Sequence, residues 1–284
     1  RKPATIAWKQ IILTITAALS MLPASAVPLT AVQMTPEARQ SAAGSMLTER
    51  LTERGAAVSA ERGLPVHFVR TSLPRPEEFT LEVTPAGITI TGGDDGGLLY
   101  GVYSLLEAAG NGLEVPELKL TDAPANAWRG VYLNLRSVDA RQPETMESLK
   151  RLFYALSRQR INKLVIEFGD MIQYPHVKFP VTAERAFTID QVRELIAAAQ
   201  ALNQEIIPYF QALSHATWIL SDPANRRFLE DPSCDNWYMT WCPRNPEMRA
   251  WFQQILDDTV EIFRPRYIHL ALDEVPYCSW QLCD

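Results

Sequence analysis

The sequence has no apolar run of the roughly 20 residues that a membrane-spanning helix needs, so no membrane span is expected. Excess positive charge is missing too. Its 27 Lys and Arg against 33 Asp and Glu give a net charge of -6, which offers no basic field to nucleic acid. Low-complexity stretches are absent, and 47% apolar with 21% charged residues is a globular composition. Cysteine is scarce: Cys234, Cys242, Cys278 and Cys283 all fall in the last fifth of the chain. They lack C-x-x-C spacing and have no adjacent histidine, so neither a zinc site nor any other metal is expected. Disulfide and free thiol both stay open, and four thiols allow three pairings. The glycine-rich Gly92-Gly-Asp-Asp-Gly-Gly97 lacks the Lys-Ser/Thr of a phosphate loop, and its two aspartates would repel phosphate. It reads better as a turn with a helix cap, and no cofactor is expected.

What is present begins with a targeting pattern. Arg1, Lys2 and Lys9 form a positive start, Ile11 to Leu22 an apolar stretch, and Ala24-Ser25-Ala26 a small-residue cleavage site. Residues 1–26 are therefore expected to be a signal peptide cleaved near Ala26, on a secreted or periplasmic protein. A chain of 284 residues predicts roughly two domains.

Residues 27–124 read as a small α+β domain. Thr35-Pro36 opens a helix expected to run through Arg54, with Pro36 at a first helical position. Strands are expected at Val66–Val69, Phe79–Val83 and Gly87–Thr91, the last two alternating apolar and polar as half-buried antiparallel strands do. A helix over Leu98–Ala109 ends at Gly110-Asn-Gly112, and a linker spans Pro116–Pro124.

From 125 to 284 strands alternate with helices. Strands are expected at Val131–Leu135, Leu164–Phe168, Ile206–Phe210 and Tyr267–Leu272. Helices are expected over Pro143–Arg160, with Leu149, Leu152, Phe153 and Leu156 on one face; from a Thr188-x-x-Gln191 capping box to Leu202; and over Met248–Phe263. Repeated βα units with apolar strands imply a parallel sheet covered by helices. The segments Gly169–Phe187 and Gln211–Pro246 exceed the median loop of about 4–6 residues, while the returns at Asn162-Lys163 and Asn203-Gln204 are short. That asymmetry fits the first four βα units of a (β/α)8 TIM barrel with its site at the C-terminal strand ends. A doubly wound sheet stays open on pattern alone.

The last strand ends in two adjacent carboxylates, Asp273 and Glu274. Alternation puts Tyr267, His269, Ala271 and Asp273 on one face and Ile268, Leu270 and Leu272 on the other, which should meet helices. Neighbouring carboxylates repel, so one holds its proton more tightly, as a general acid must. A helix cap is the alternative use of an Asp-Glu pair.

Ile268-His-Leu-Ala-Leu-Asp-Glu-Val275 resembles the catalytic strand, H-x-G-x-D-E, of family 20 glycoside hydrolases, the β-N-acetylhexosaminidases. Other segments are similar in the same order. Gly93-Asp94 with Leu98–Leu106 resembles the last helix of that family's small domain, and Arg129-Gly130 the opening of its barrel. Ile161-Asn162-Lys163 through Asp170 resembles its second strand, and Ile206-Ile-Pro208 with Ser214-His215 its third. Ile166-Glu-Phe-Gly-Asp170 with Tyr174-Pro175, and Gln211-Ala-Leu-Ser-His215, look closer to the divergent hexosaminidase D-like branch.

The resemblance implies exo-acting removal of terminal β-linked N-acetylhexosamine, GlcNAc or GalNAc, from glycans or glycoconjugates by substrate-assisted retention. Asp273 would then orient the 2-acetamido group whose oxygen attacks the anomeric carbon. Glu274 would protonate the leaving oxygen and later activate water. Asp170 and His215 match a relay supporting the acid, and Arg136 matches an arginine on sugar hydroxyls, though one residue short in spacing and with Asn134 where Asp is usual. Glu167, in place of a histidine, and Trp218, in the long third loop, are the remaining candidates for substrate contact. Ala271 for glycine and Tyr209 for an acidic residue further mark an altered sugar pocket. A carbohydrate-binding barrel without turnover, or a retaining glycosidase of other specificity, are the alternative readings.

Overall fold

The computed structural model describes residues 25–179, 182–231, 239–272 and 274–275. The chain divides into two compact units between Ala123 and Pro124. Of the expected leader only Ser25 and Ala26 are among the described residues, and Ala26 is the first residue of a strand.

In the first unit the order is β1 (Ala26–Pro28), β2 (Ala31–Gln33), α1 (Pro36–Gln40), α2 (Ala42–Glu53), β3 (Ala57–Ser59), β4 (Leu64–Arg70), β5 (Phe79–Thr84), β6 (Gly87–Gly92), α3 (Asp95–Ala108), β7 (Glu114–Pro116) and β8 (Leu118–Asp122). Six strands form one sheet in the order β3-β2-β4-β6-β5-β8, and β1 pairs with β7 separately. Phe79, Leu81 and Val83 pair in register with Gly92, Ile90 and Ile88, so the apolar sets of both strands share one buried face.

The helix expected over 35–54 is two helices. Ser41 is extended, and its hydroxyl donates to the Ala38 carbonyl while accepting from the Gly44 amide, so it closes α1 and caps α2. Helix α3 begins at Asp95, three residues before the expected Leu98, because Asp94 caps it by accepting from the Gly97 amide at 2.7 Å. The glycine-rich turn thus enters the helix itself. A Cβ on Gly101 would stand 2.4 Å from Ile90 Cγ2, so glycine there lets α3 press against β6.

The second unit runs β9 (Gly130–Asn134), α4 (Pro143–Arg158), β10 (Lys163–Glu167), α5 (Ile189–Ala201), β11 (Glu205–Gln211), α6 (Thr217–Leu220), α7 (Pro246–Phe263) and β12 (His269–Ala271). The four strands are parallel in chain order, the first half of a (β/α)8 barrel. Leu164, Ile166, Phe168, Ile206 and Phe210 are buried on the outward face, while Tyr132, Val165, Tyr209 and His269 look into the concave side. Helix α4 buries Leu149 and Phe153, but Leu152, expected on the same face, is exposed, since that face is narrower than the apolar pattern. Thr188 and Gln191 form the reciprocal capping box of α5. Strand β12 is shorter than the expected Tyr267–Leu272, because β11 pairs with it only from Tyr209 to Gln211. Leu270 and Leu272, expected against helices, are exposed among the described residues.

Each return into a strand turns on a left-handed residue: Arg160 after α4, Asn203 after α5 and Arg264 after α7. Buried side-chain amides tie these returns to neighbouring carbonyls. Gln204 Nε2 donates to the Phe153 and Ile161 carbonyls, and Asn162 Nδ2 to that of Ala127.

Candidate active site

Parallel strands deliver all their C-terminal ends to one rim. Arg136 follows β9 by two residues, Gly169-Asp170 follow β10, Ser214-His215 follow β11, and Glu274 follows β12. At the rim the chain again turns left-handed, with φ of 54° at Gly169, 53° at His215 and 51° at Glu274. For the two non-glycine residues this backbone costs about 1–3 kcal/mol and persists only where surrounding contacts hold it.

Those contacts link the third and fourth strand ends. His215 Nε2 and Glu274 Oε2 lie 2.9 Å apart, and the fully buried Ser214 donates from Oγ to the Glu274 carbonyl at 2.9 Å. The Glu274 side chain is 61% exposed, so one carboxylate oxygen is anchored while the group keeps access to the rim. An imidazole on one oxygen tethers the carboxyl, and the exposed part can exchange a proton with a bound molecule.

A second cluster centres on Arg136. Its Nη2 donates to Thr217 Oγ1 at 3.1 Å, Nη1 lies 3.6 Å from Glu167 Oε1, and Nε lies 3.7 Å from Asp170 Oδ1. The stem of Arg136 crosses Gly169, where an added Cβ would come within 3.2 Å of Cδ. Burial pushes the Asp170 carboxyl above the usual aspartate range, and the positive Arg136 opposes that rise. Glu167 is 2% exposed. Its Oε2 accepts from Tyr132 Oη and from Asn134 Nδ2, the latter at 3.1 Å, which leaves Oε1 buried without a hydrogen bond and facing the guanidinium. Burial first, and then Glu167, raise the Tyr132 phenol far above its usual value, so it keeps its proton and donates to Glu167 while accepting from Asn134 Nδ2 at 3.3 Å. Thr217, two residues beyond His215, joins this cluster to the first along the chain.

Beneath both clusters the concave face carries an aromatic row. The Tyr132 and Tyr209 rings lie 5.0 Å apart, and Tyr209 stacks on His269 at 4.7 Å. The row lines a recess of about 440 Å³ with Val165 and Gln211.

The sequence-predicted residues divide clearly. Glu274 meets His215; Arg136 gathers Glu167 and Asp170. Asp273 lies outside the described residues, as do Cys234, Cys278 and Cys283. Trp218 requires correction as a substrate contact. It is 3% exposed, packed on Phe179 and Phe210, and its indole donates to the Gln211 carbonyl at 3.1 Å, so neither ring face is open to a sugar. Trp241 is also buried, against Phe252. Cys242 carries a free thiol. Among the described residues, no three His, Cys, Asp or Glu side chains converge as a metal site requires. Tyr132, Ser214 and Thr217 escaped sequence reasoning as contact residues. Only Ser214 carried a signal, in being next to His215.

Comparison with known proteins matches residues 21–123 to glycosyl hydrolase family 20, domain 2, and residues 126–284 to the glycosyl hydrolase family 20 catalytic domain. A beta-hexosaminidase of Akkermansia muciniphila is 24% identical over 237 residues, covering 73% of this chain and 47% of the relative. Hexosaminidase D of Bos taurus is 26% identical over 151 residues, covering 52% of this chain and 41% of the relative. The chain spans about half the length, or less, of these relatives. Among solved structures, the Flavobacterium johnsoniae chitobiase aligns with a TM-score of 0.71 at 20% identity over 92% of this chain and 44% of that one. The exo beta-N-acetylglucosaminidase of Vibrio harveyi in complex with N-acetylglucosamine aligns with a TM-score of 0.72 at 20% identity, over 90% and 45%.

Proposed function

The chain belongs to glycosyl hydrolase family 20, and from that premise we propose that it supplies the acid-base half of an exo-acting β-N-acetylhexosaminidase. In this reading Glu274 protonates the oxygen of the departing group and afterwards takes a proton from the attacking water. Asp273 orients the substrate's 2-acetamido group, whose oxygen attacks the anomeric carbon, so neither carboxylate acts as nucleophile. His215 anchors Glu274, while Asp170 supports Arg136 in the neighbouring cluster. Arg136, partly exposed and flanked by Glu167 and Asp170, is the donor to the sugar hydroxyls, and the buried Glu167 acts through it. Substrates are glycans or glycoconjugates ending in β-linked N-acetylhexosamine.

The observation that carries the reading is the 2.9 Å contact between His215 and Glu274, two residues 59 apart in sequence that both hold left-handed backbone at adjacent strand ends. A carboxylate used only as a helix cap needs no such partner. The test is release of nitrophenol from nitrophenyl N-acetyl-β-glucosaminide and galactosaminide by the full-length protein. Glu274→Gln should lower kcat/KM by about 100-fold or more, the usual size of general acid-base assistance. Unchanged turnover in that variant would remove Glu274 from the chemistry.

A further inference from the structure

We infer that Ser214 is a positioning residue for the proton donor, holding the main chain of Glu274 so that the carboxyl stays aimed at the leaving oxygen. The inference rests on the acid-base role proposed for Glu274 and adds a residue that acts through it.

Strand β12 is three residues long, and at its last residue the Ala212 amide, one step past β11, donates to the Ala271 carbonyl at 3.0 Å. Three residues on, Glu274 is left-handed, a conformation that an L-residue with a side chain leaves readily unless it is held. The hold found there is the Ser214 hydroxyl on the Glu274 carbonyl at 2.9 Å. A side-chain donor thus ties this loop to the main chain beyond the end of β12. Ser214 is 0% exposed, so its hydroxyl has no bulk water to turn to.

The next residue, His215, takes the carboxylate of the same Glu274. Two consecutive residues of one loop therefore grip one residue of the next at two points, main chain and side chain. One point alone would leave the carboxylate free to swing about it, and the Glu274 side chain is mostly exposed, so little packing would restrain it. Two points define its direction, and direction is what proton delivery requires.

A residue that aims an acid affects reactions in proportion to their need for that acid. The experiment measures kcat/KM of the full-length protein on aryl N-acetyl-β-glucosaminides whose phenols range from strongly acidic, such as dinitrophenol, to weakly acidic, such as phenol itself. Ser214→Ala should lower kcat/KM by about tenfold on the phenyl substrate, the weight of one buried hydrogen bond, and leave the dinitrophenyl substrate nearly unchanged. The inhibition constant for free N-acetylglucosamine should not move. Ser214→Thr, which keeps the hydroxyl, should recover most of the loss on the phenyl substrate.

An equal loss across the whole series, or an alanine variant with the wild-type dependence on leaving group, would overturn the inference while leaving the hydrolase reading intact. A wild-type protein inactive on every member would overturn the proposed function, and this inference with it. Thermal unfolding of each variant separates misaligned acid from poor folding.

Discussion

Replacing Glu167 by Gln should weaken both the fold and the sugar site, because it removes a charge while keeping the shape. Glu167 is 2% exposed, and its Oε2 can be matched by the amide oxygen, which would still accept from Tyr132 and Asn134. The change falls on the other side, where an NH2 would face Arg136 Nη1 at about the present 3.6 Å, donor against donor. Two unit charges at 3.6 Å attract by roughly 4–5 kcal/mol at an effective dielectric of about 20. Arg136 keeps Asp170 at 3.7 Å and is itself 26% exposed, so solvent and the second carboxylate make up much of that loss. The net cost should be about 1–3 kcal/mol, which at a usual urea slope lowers the unfolding midpoint by about 1 M. The assay is urea unfolding followed by tryptophan fluorescence, with KM measured on the same preparations. KM should rise, since Arg136 would lose one of the groups that set its direction. An unchanged midpoint together with an unchanged KM would refute the idea that Glu167 balances Arg136.

Two further perturbations separate packing from chemistry. Trp218→Phe should cost about 1–2 kcal/mol of stability, through the lost bond to the Gln211 carbonyl and a smaller ring, with KM unchanged; a raised KM at unaltered stability would return Trp218 to the sugar site. For Asp170 the folded-state pKa is raised, so as pH climbs through the carboxylate range the unfolded chain ionises first and the folded state is progressively penalised. Asp170→Asn removes that penalty. The stability difference between variant and wild type should therefore shift in favour of the variant between about pH 3 and pH 7, measured as urea midpoints, and a pH-independent difference would contradict burial as the dominant cause.

Much of the architecture was legible because periodicity and punctuation act locally. The βα alternation, the Thr188 capping box and the short returns at Asn162 and Asn203 all depend on residues within a few positions of one another. Boundaries slipped where one side chain decides them. Ser41 interrupts a helix-like run because its hydroxyl competes for backbone groups on both sides, and Asp94 starts α3 early by capping glycines that look like loop. The site was legible only in part. His215 and Glu274 were recognisable through the order of motifs, but the buried Ser214 contact and the Tyr132–Glu167 bond join residues 60 and 35 positions apart. No local pattern reports such pairs. Trp218 misled because an aromatic in a long loop reads the same whether it faces a ligand or the core beneath.

The three left-handed turns at the rim act as hooks between wall and loop. A hook sets the heading of its own residue before the chain departs, so the aim of His215 and Glu274 is set at the strand ends, where Ser214 and His215 hold Glu274. Loop length and functional geometry are thereby decoupled. Apart from Thr182 and Thr217, which reach back to Asp170 and Arg136, the excursions after β10 and β11 can lengthen, shorten or change composition, and with them the shape of whatever docks above the rim, while the groups beneath keep their bearing. In such a protein, new preferences for the outer parts of a ligand can be acquired by insertion alone.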